Sequence, residues 1–329
     1  EKHGAGNATR VHPFSDDGIS CEQAVGTGVV RGGTGTGSDG ENKRDPALRQ
    51  RRGRRVTTLD THLDNSLETF PKLLQQAGYQ TAMVGKWHMG HTIEQHTPNA
   101  RGFDHFYGHF NTDVNYYSHS FAGGHDFQEN GKSVSHENEY ATNVHGNQAA
   151  RYINEIRDPN KPFFLYVPFL APHSPMQATE EDKAKYPNRI DTPVYPAKTY
   201  AAMVDSLDQA IGDVLDALDA QGLAENTLVL FFTDNGGYYN FGGVNTPLRG
   251  GKLETFEGGV RVNAVMRWPD VLPGGTVNEN VMSVMDMLPT LTEAAGIKAL
   301  NVKSIDGLPR WNAVTGTGAK DRGEPLIFT

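Results

Sequence analysis

Hydrophobic and polar positions fall into a readable pattern only from Leu67 onward. Leu67, Phe70, Leu73, Leu74 and Ala77 share one helical face. Gly78 follows as a stop, and Pro71 fits the first turn if Thr69 caps it. Gln80–Val84 predicts a short buried strand. Phe163–Leu170 is a second apolar run of strand length, with Pro168 marking where its pairing ends. Met203, Val204, Leu207, Ile211, Val214, Leu215 and Leu218 keep the helical period, which predicts an amphipathic helix over Tyr200–Ala220 closed by Gly222. Thr227–Phe232 follows as an apolar strand, and Gly259–Trp268 alternates like another. Asp286–Ala295 reads as a helix capped by Asp286, and Pro325–Thr329 as the start of a strand. Residues 90–160 are polar, aromatic and His-rich, and read as long loops with short elements. Helix, short loop, buried strand is the rhythm of an α/β fold with a mostly parallel sheet and helices on both faces.

Composition divides the chain at the same place. The first 65 residues hold only 15 apolar side chains; seven of residues 26–40 are glycine and five of residues 49–55 are arginine. Such a segment buries too little apolar surface to offset its ordering entropy. The expectation is a poorly ordered or non-native segment over 1–65 and one α/β domain over 66–329, incomplete at both ends. The net charge of −9 argues against a nucleic-acid or anionic-membrane partner. A single cysteine, Cys21, excludes an intrachain disulfide and a Cys-based zinc site. No run of 18 apolar residues is present, so no membrane span is expected.

Four clusters of chemically capable residues stand at or after the apolar runs. Gly85-Lys86-Trp87-His88 places an ammonium and an imidazole two residues apart at a strand end, where α/β sheets bind ligands. Such a pair suits an oxyanion. Pro172-His173-Ser174-Pro175 holds one histidine in a proline-stiffened loop, suited to general acid work. Thr233-Asp234-Asn235-Gly236-Gly237 offers two hard oxygen donors for Ca2+ or Mg2+. Leu248-Arg249-Gly250-Gly251-Lys252 and Glu257-Gly258-Gly259-Val260-Arg261 space basic residues with glycines, as an anion-wrapping loop requires. Taken singly, each is as compatible with an ordinary surface turn.

Together and in this order, these motifs, with Arg101-Gly102-Phe103-Asp104 and Tyr116-Tyr117-Ser118-His119, resemble the sulfatase family of the alkaline phosphatase superfamily. Within it they look similar to the arylsulfatase B group, from about Leu67 to Ala295. The resemblance implies a sulfuric ester hydrolase acting on sulfated carbohydrate or aryl sulfate through a formylglycine nucleophile and one Ca2+. It implies that Lys86 and His88 hold the sulfate and the hydrated formylglycine, and that His173 stands near the ester oxygen as proton donor. Lys252 would contact the sulfate, and Asp234 and Asn235 would be two of four Ca2+ ligands. A periplasmic, extracellular or lysosomal location is expected on the same ground.

The resemblance fails before Asn65. The family's Cys-x-Pro-Ser-Arg-like nucleophile motif is absent: Cys21 lacks the proline and arginine, and Asn245-Thr246-Pro247-Leu248-Arg249 echoes the spacing with Asn at the nucleophile position. Asp16-Asp17 is a weak candidate for the remaining metal ligands. The expectation is an inactive fragment, with residues before Asn65 out of the natural reading frame. Two other functions stay open, a non-catalytic binder of sulfated glycans and a phosphatase or phosphodiesterase of the same superfamily. The second usually has Asp-His where this chain has Asp234-Asn235.

Overall fold

The structure, a computed structural model, describes residues 62–297 and 305–317. Its organising element is β1 (Gln80–Lys86), whose five central residues are all buried. β1 pairs in parallel with β2 (His105–His109), from Ala82↔His105 to Lys86↔His109. Two short strands, β3 (Gln128–Glu129) and β4 (Lys132–Ser133), extend β2 antiparallel. On its other edge β1 pairs in parallel with β5 (Phe163–Tyr166), from Gln80↔Phe163 to Met83↔Tyr166. The sheet order is therefore β4-β3-β2-β1-β5.

Alternation along β1 and β5 separates two cores. Val84 and Leu165 meet α2 (Ala141–Arg151) and α3 (Ala197–Ala220) through Val144, Met203 and Leu207. On the opposite face Phe164 packs with α1 (Phe70–Gln76) and α4 (Met287–Ala294) through Phe70, Leu73, Leu74 and Leu288. Met83, Trp87, Phe103 and Phe106 complete that second core. Helices thus cover both faces, as the pattern predicted. The two helices of the first face approach closely at Gly146, where a Cβ would stand 2.8 Å from that of Ala210.

Differences from the expected elements have local causes. β2 lies inside the stretch read as loop, yet all five of its residues are buried. Its sequence His-Phe-Tyr-Gly-His shows no alternation because both faces are covered and its histidines stack on aromatic rings: His105 on Tyr152, and His109 on Phe127 and His145. α2 was hidden in the same way by its Asn, His and Gln residues. The predicted strand over Gly259–Trp268 resolves into a single helical turn (Glu257–Val260) and β7 (Ala264–Arg267). β7 pairs antiparallel with β6 (Val229–Phe232), in register Val229↔Arg267. The Asp286 carboxylate accepts from the Ser283 N–H at 2.8 Å, so Ser283 is the cap and Asp286 the third residue of a capping box. Among the described residues, β5 and β6 each pair along one edge, and most of their side chains are half-buried.

Near the start of the described chain, Arg101 is 2% exposed and donates to the carbonyls of Asp64, Asn65 and Leu67. Leu63 N–H donates to the Met89 carbonyl at 3.1 Å. The reading of residues 1–65 as non-native falls, except for its last four positions, outside the described residues, as do Asp16, Asp17, Cys21 and the strand expected at Pro325–Thr329.

Candidate active site

Lys86 and His109 end their strands side by side, and pairing continues one step beyond them. Trp87 N–H donates to the His109 carbonyl (2.9 Å) and His88 N–H to the Phe110 carbonyl (3.0 Å). Lys86 and His88 therefore leave the sheet at its carboxyl end. Lys86 N–H also donates to the Pro168 carbonyl at 2.9 Å, which brings the segment after β5 alongside.

That segment carries His173. Its N–H donates to the Leu170 carbonyl (2.8 Å), and its own carbonyl accepts from the Tyr116 hydroxyl (2.8 Å). The ring is oriented by Nδ1 against the Ser174 carbonyl at 2.9 Å. With Nδ1–H donating there, Nε2 is the nitrogen left for proton transfer. Tyr116 is fully buried and stacks on Tyr140, and His119 is fully buried against Phe127. The buried rings of Tyr116 and His119 thus anchor this stretch in the core, and the Tyr116 hydroxyl ties it to the His173 loop.

The loop after β6 carries Asp234 and Asn235. Gly236 N–H donates to the Gly259 carbonyl at 3.0 Å, and a Cβ on Gly236 would overlap the Gly258 carbonyl oxygen at 1.7 Å. Only glycine permits that approach. Asn245 clamps Gly237 from both sides: its Oδ1 accepts from Gly237 N–H (2.8 Å) and its Nδ2 donates to the Gly237 carbonyl (2.9 Å). Lys252 N–H donates to the same carbonyl at 3.3 Å. The loops of Asp234 and Lys252 are in this way one unit, with Asn245 as its fastener.

Charges in the site act on one another. Burial lowers the Lys86 ammonium to about 8; Asp234 opposes the shift, Lys252 adds to it and Asp113 opposes it. Burial, and then the charge of Lys86, hold His88 below the ordinary imidazole value. His173 is lowered by burial first; its bond to Ser174 works against this, and Lys86 and Lys252 lower it further. His173 and Lys252 line a cavity of about 170 Å3 with Ser174, Tyr238, Phe241 and Leu253.

Lys86, His88, His173, Lys252 and Asp234 thus come together from four separate segments of chain, and Asn235 follows Asp234 on the same turn. The Asn235 Nδ2 donates to the Gly236 carbonyl at 2.9 Å. Asp234 and Asn235 suit a hard cation as two oxygen donors of a shell of roughly six to eight. Among the described residues no group of three or more His, Cys, Asp or Glu side chains could hold a metal ion. Asp113, whose charge reaches Lys86, His88 and His173, was not singled out by sequence reasoning. It follows β2, the strand whose pattern is unreadable. Tyr238 and Phe241, which line the cavity, were also not singled out; the tyrosines directly after Gly236-Gly237 are a signal for the first of them only.

A family profile described as Sulfatase matches residues 6–297. Over 260 residues the chain is 35% identical to arylsulfatase J of Mus musculus, covering 77% of this chain and 42% of that protein. It is 32% identical to N-acetylgalactosamine-6-sulfatase of Canis lupus familiaris, covering 78% of this chain and 50% of that protein. Among solved structures, Ps i-CgsB in complex with k-i-k-neocarrahexaose superposes with a TM-score of 0.73 at 34% identity, over 79% of this chain and 60% of that one. The chain spans about half the length of the curated relatives it matches.

Proposed function

The chain belongs to the sulfatase family, and from that premise we propose that it carries the anion-binding and proton-transfer half of a sulfuric ester hydrolase site, for sulfated carbohydrates or aryl sulfates. One observation carries the reading: two lysines, Lys86 and Lys252, stand within each other's field and both act on the oriented imidazole of His173, which lines a cavity with Lys252. Two ammonium groups that share a part-buried site repel one another, a repulsion that a bound anion offsets.

In this reading the sulfate group lies between Lys86 and Lys252, which stabilise the charge that builds on its oxygens. His88 contacts the same group from the end of β1. His173 Nε2 donates the proton to the departing ester oxygen, its ring held by the Ser174 carbonyl. The sulfate's negative charge offsets the two lysines that depress His173 in the free site, so that substrate binding itself favours the protonated imidazole. Asp234 and Asn235 would hold a Ca2+, with Mg2+ the alternative; when bound, the ion supplies further positive charge to the sulfate oxygens. The formylglycine of the family would supply the attacking oxygen. The single cysteine, Cys21, lies outside the described residues.

Names of similar proteins support a carbohydrate sulfate: one is an N-acetylgalactosamine-6-sulfatase, and another was solved with a neocarrahexaose. A periplasmic, extracellular or lysosomal location agrees with this reading. Among the described residues no helix is long and apolar enough to cross a membrane.

The test is calorimetric binding of inorganic sulfate, paired with hydrolysis of a chromogenic aryl sulfate in the presence of Ca2+ and a formylglycine-generating enzyme. Sulfate binding that is lost in Lys86→Ala and in Lys252→Ala is expected, with little or no turnover by the 329-residue chain. Failure to bind sulfate, or faster turnover of an aryl phosphate, would overturn the proposal. Robust aryl sulfate turnover would instead mean that the chain holds its own nucleophile and is a complete enzyme.

A further inference from the structure

The loop that carries His173 is held at three backbone carbonyls by three phenols. The Tyr116 hydroxyl donates to the His173 carbonyl (2.8 Å), the Tyr140 hydroxyl to the Gln177 carbonyl (2.7 Å) and the Tyr117 hydroxyl to the Ala178 carbonyl (3.1 Å). Among the described residues none of these carbonyls accepts a backbone N–H. A loop outside any helix or strand ladder needs such side-chain partners wherever its backbone is buried. The phenols form one unit. The Tyr116 and Tyr140 rings stack with centroids 5.1 Å apart, the Tyr117 ring lies 5.5 Å from that of Tyr140, and the Ala141 N–H donates to the Tyr116 carbonyl at 2.8 Å. The Gln177 side chain closes the circuit by accepting from the Tyr116 N–H at 2.9 Å. At its far end the loop is anchored to α3. The Thr179 hydroxyl accepts from the Asp182 N–H (3.1 Å), and the Asp182 carboxylate accepts from Ser206 (2.6 Å) and Gln209 (2.9 Å). Burial holds all three phenols above the ordinary tyrosine value, so they remain donors at neutral and mildly alkaline pH.

Resting on the role of His173 as proton donor, we propose that Tyr117 and Tyr140 act with Tyr116 as positioning residues: their hydroxyls fix the backbone from His173 to Ala178, and with it the place of the His173 imidazole among the charges of Lys86 and Lys252. On its N-terminal side His173 is held by its own N–H, which donates to the Leu170 carbonyl. On the other side its Nδ1 is oriented by the carbonyl of Ser174, which belongs to the clamped stretch. A peptide that swings at Ser174 carries that acceptor away, and the ring turns with it. Tyrosine suits the task, because its rigid ring brings a hydroxyl to a distant carbonyl at little cost in conformational entropy. None of the three phenols lines the cavity that His173 and Lys252 line. Their effect on a bound anion therefore passes through His173. Lys86 and Lys252 stand on other segments, at the end of β1 and in the loop after β6, and do not depend on the clamp.

The experiment is an NMR pH titration of the 329-residue chain carrying isotope-labelled histidine, with and without sodium sulfate, beside calorimetry of sulfate binding. The chain has 13 histidines, so His173→Gln identifies the resonance. In the parent chain sulfate should raise the His173 midpoint by about one pH unit. Tyr140→Phe and Tyr117→Phe keep the ring and remove only the donor. Each should raise the sulfate-free midpoint by about 0.3–0.5 pH unit as water reaches the imidazole, and should shrink the sulfate-induced rise by about half. Sulfate affinity should change by less than about twofold, since the two lysines stay in place. Leu288→Ala, in the core on the opposite face of the sheet, should lower stability and leave the His173 midpoint unmoved. Tyr117 is half-buried, so Tyr117→Phe serves where Tyr140→Phe fails to fold. Unchanged midpoints in the tyrosine variants, with stability lowered, would overturn the proposal and leave the hydroxyls a structural role alone. A midpoint displaced as far in Leu288→Ala would overturn it too, by tracing the shift to general loosening. If the parent His173 does not respond to sulfate, the sulfate reading falls, and the sulfate-free midpoints still decide the clamp.

Discussion

The Tyr116 hydroxyl donates to the His173 carbonyl across 2.8 Å, joining the loop after β2 to the loop after β5. Tyr116 is fully buried, and its N–H is held in turn by the Gln177 side chain at 2.9 Å. Removing the hydroxyl leaves a backbone acceptor without its partner. Tyr116→Phe should therefore cost about 1–2 kcal/mol of stability, read as a lower urea midpoint with an unchanged slope. A midpoint equal to that of the parent chain would show that the bond does not hold His173 in place.

The depressed ammonium of Lys86 sets a pH limit on anion binding. Its value of about 8 lies below that of an ordinary lysine. The charge is present below that pH and is lost above it. A bound anion holds the proton on, so sulfate affinity should stay level to pH 8 and fall beyond it. Lys86→Arg should keep affinity level to pH 9.5, because guanidinium does not deprotonate there. Asp113→Asn should move the decline to lower pH, since the Asp113 charge favours the ammonium. Calorimetric titrations between pH 6.5 and 9.5 provide the check, and an identical decline in Lys86→Arg would exclude Lys86 as its source.

Two buried imidazoles behind the site should make the fold acid-labile. His109 and His145 stack 5.6 Å apart, are fully buried and, among the described residues, make no hydrogen bond through either ring nitrogen. Burial, joined by neighbouring histidines, pushes His109 well below the ordinary value and His145 down to about 3. In the unfolded chain both take up protons as pH falls through about 6.5, whereas in the folded chain they do not. Stability is therefore complete above that pH and falls below it, by about 1.4 kcal/mol per pH unit for each histidine that stays neutral. For His145 that window extends down to about 3. Urea unfolding at pH 7.5 and 5.5 should show the loss, and His145→Phe should reduce it. An unchanged pH dependence in His145→Phe would remove His145 from the account.

The glycine loop of Asp234 tolerates no side chain. A Cβ at Gly236 would overlap the Gly258 carbonyl oxygen, whereas one at Gly274 would meet nothing within 4 Å. Gly236→Ala should cost about 1–3 kcal/mol through forced backbone movement and should also abolish sulfate binding, because the same loop unit positions Lys252. Gly274→Ala should alter neither. Thermal unfolding and calorimetry measure both effects; sulfate binding that survives in Gly236→Ala would separate the loop from the anion site.

Much of the site was legible because its chemistry is packed into short contiguous motifs. Gly85–His88, Pro172–Pro175 and Thr233–Gly237 each carry their functional groups within seven residues of a strand end, which is where such groups are presented. The helix Ala197–Ala220 was legible because one of its faces meets water, so that period and burial coincide. β2 was not, because a strand covered on both faces has no polar side to alternate with, and its buried histidines count as polar in any pattern. Asp113, Tyr238 and Phe241 were decided by tertiary structure alone. Their significance lies in what they share a site with, the charges of Lys86 and His173 for the first and one cavity with His173 and Lys252 for the others, and those neighbours come from separate segments of chain. A motif records which groups are close along the chain; the field felt by Lys86 and the cavity beside His173 arise only when loops from distant strands are brought together, where burial strips away the water that would otherwise screen them.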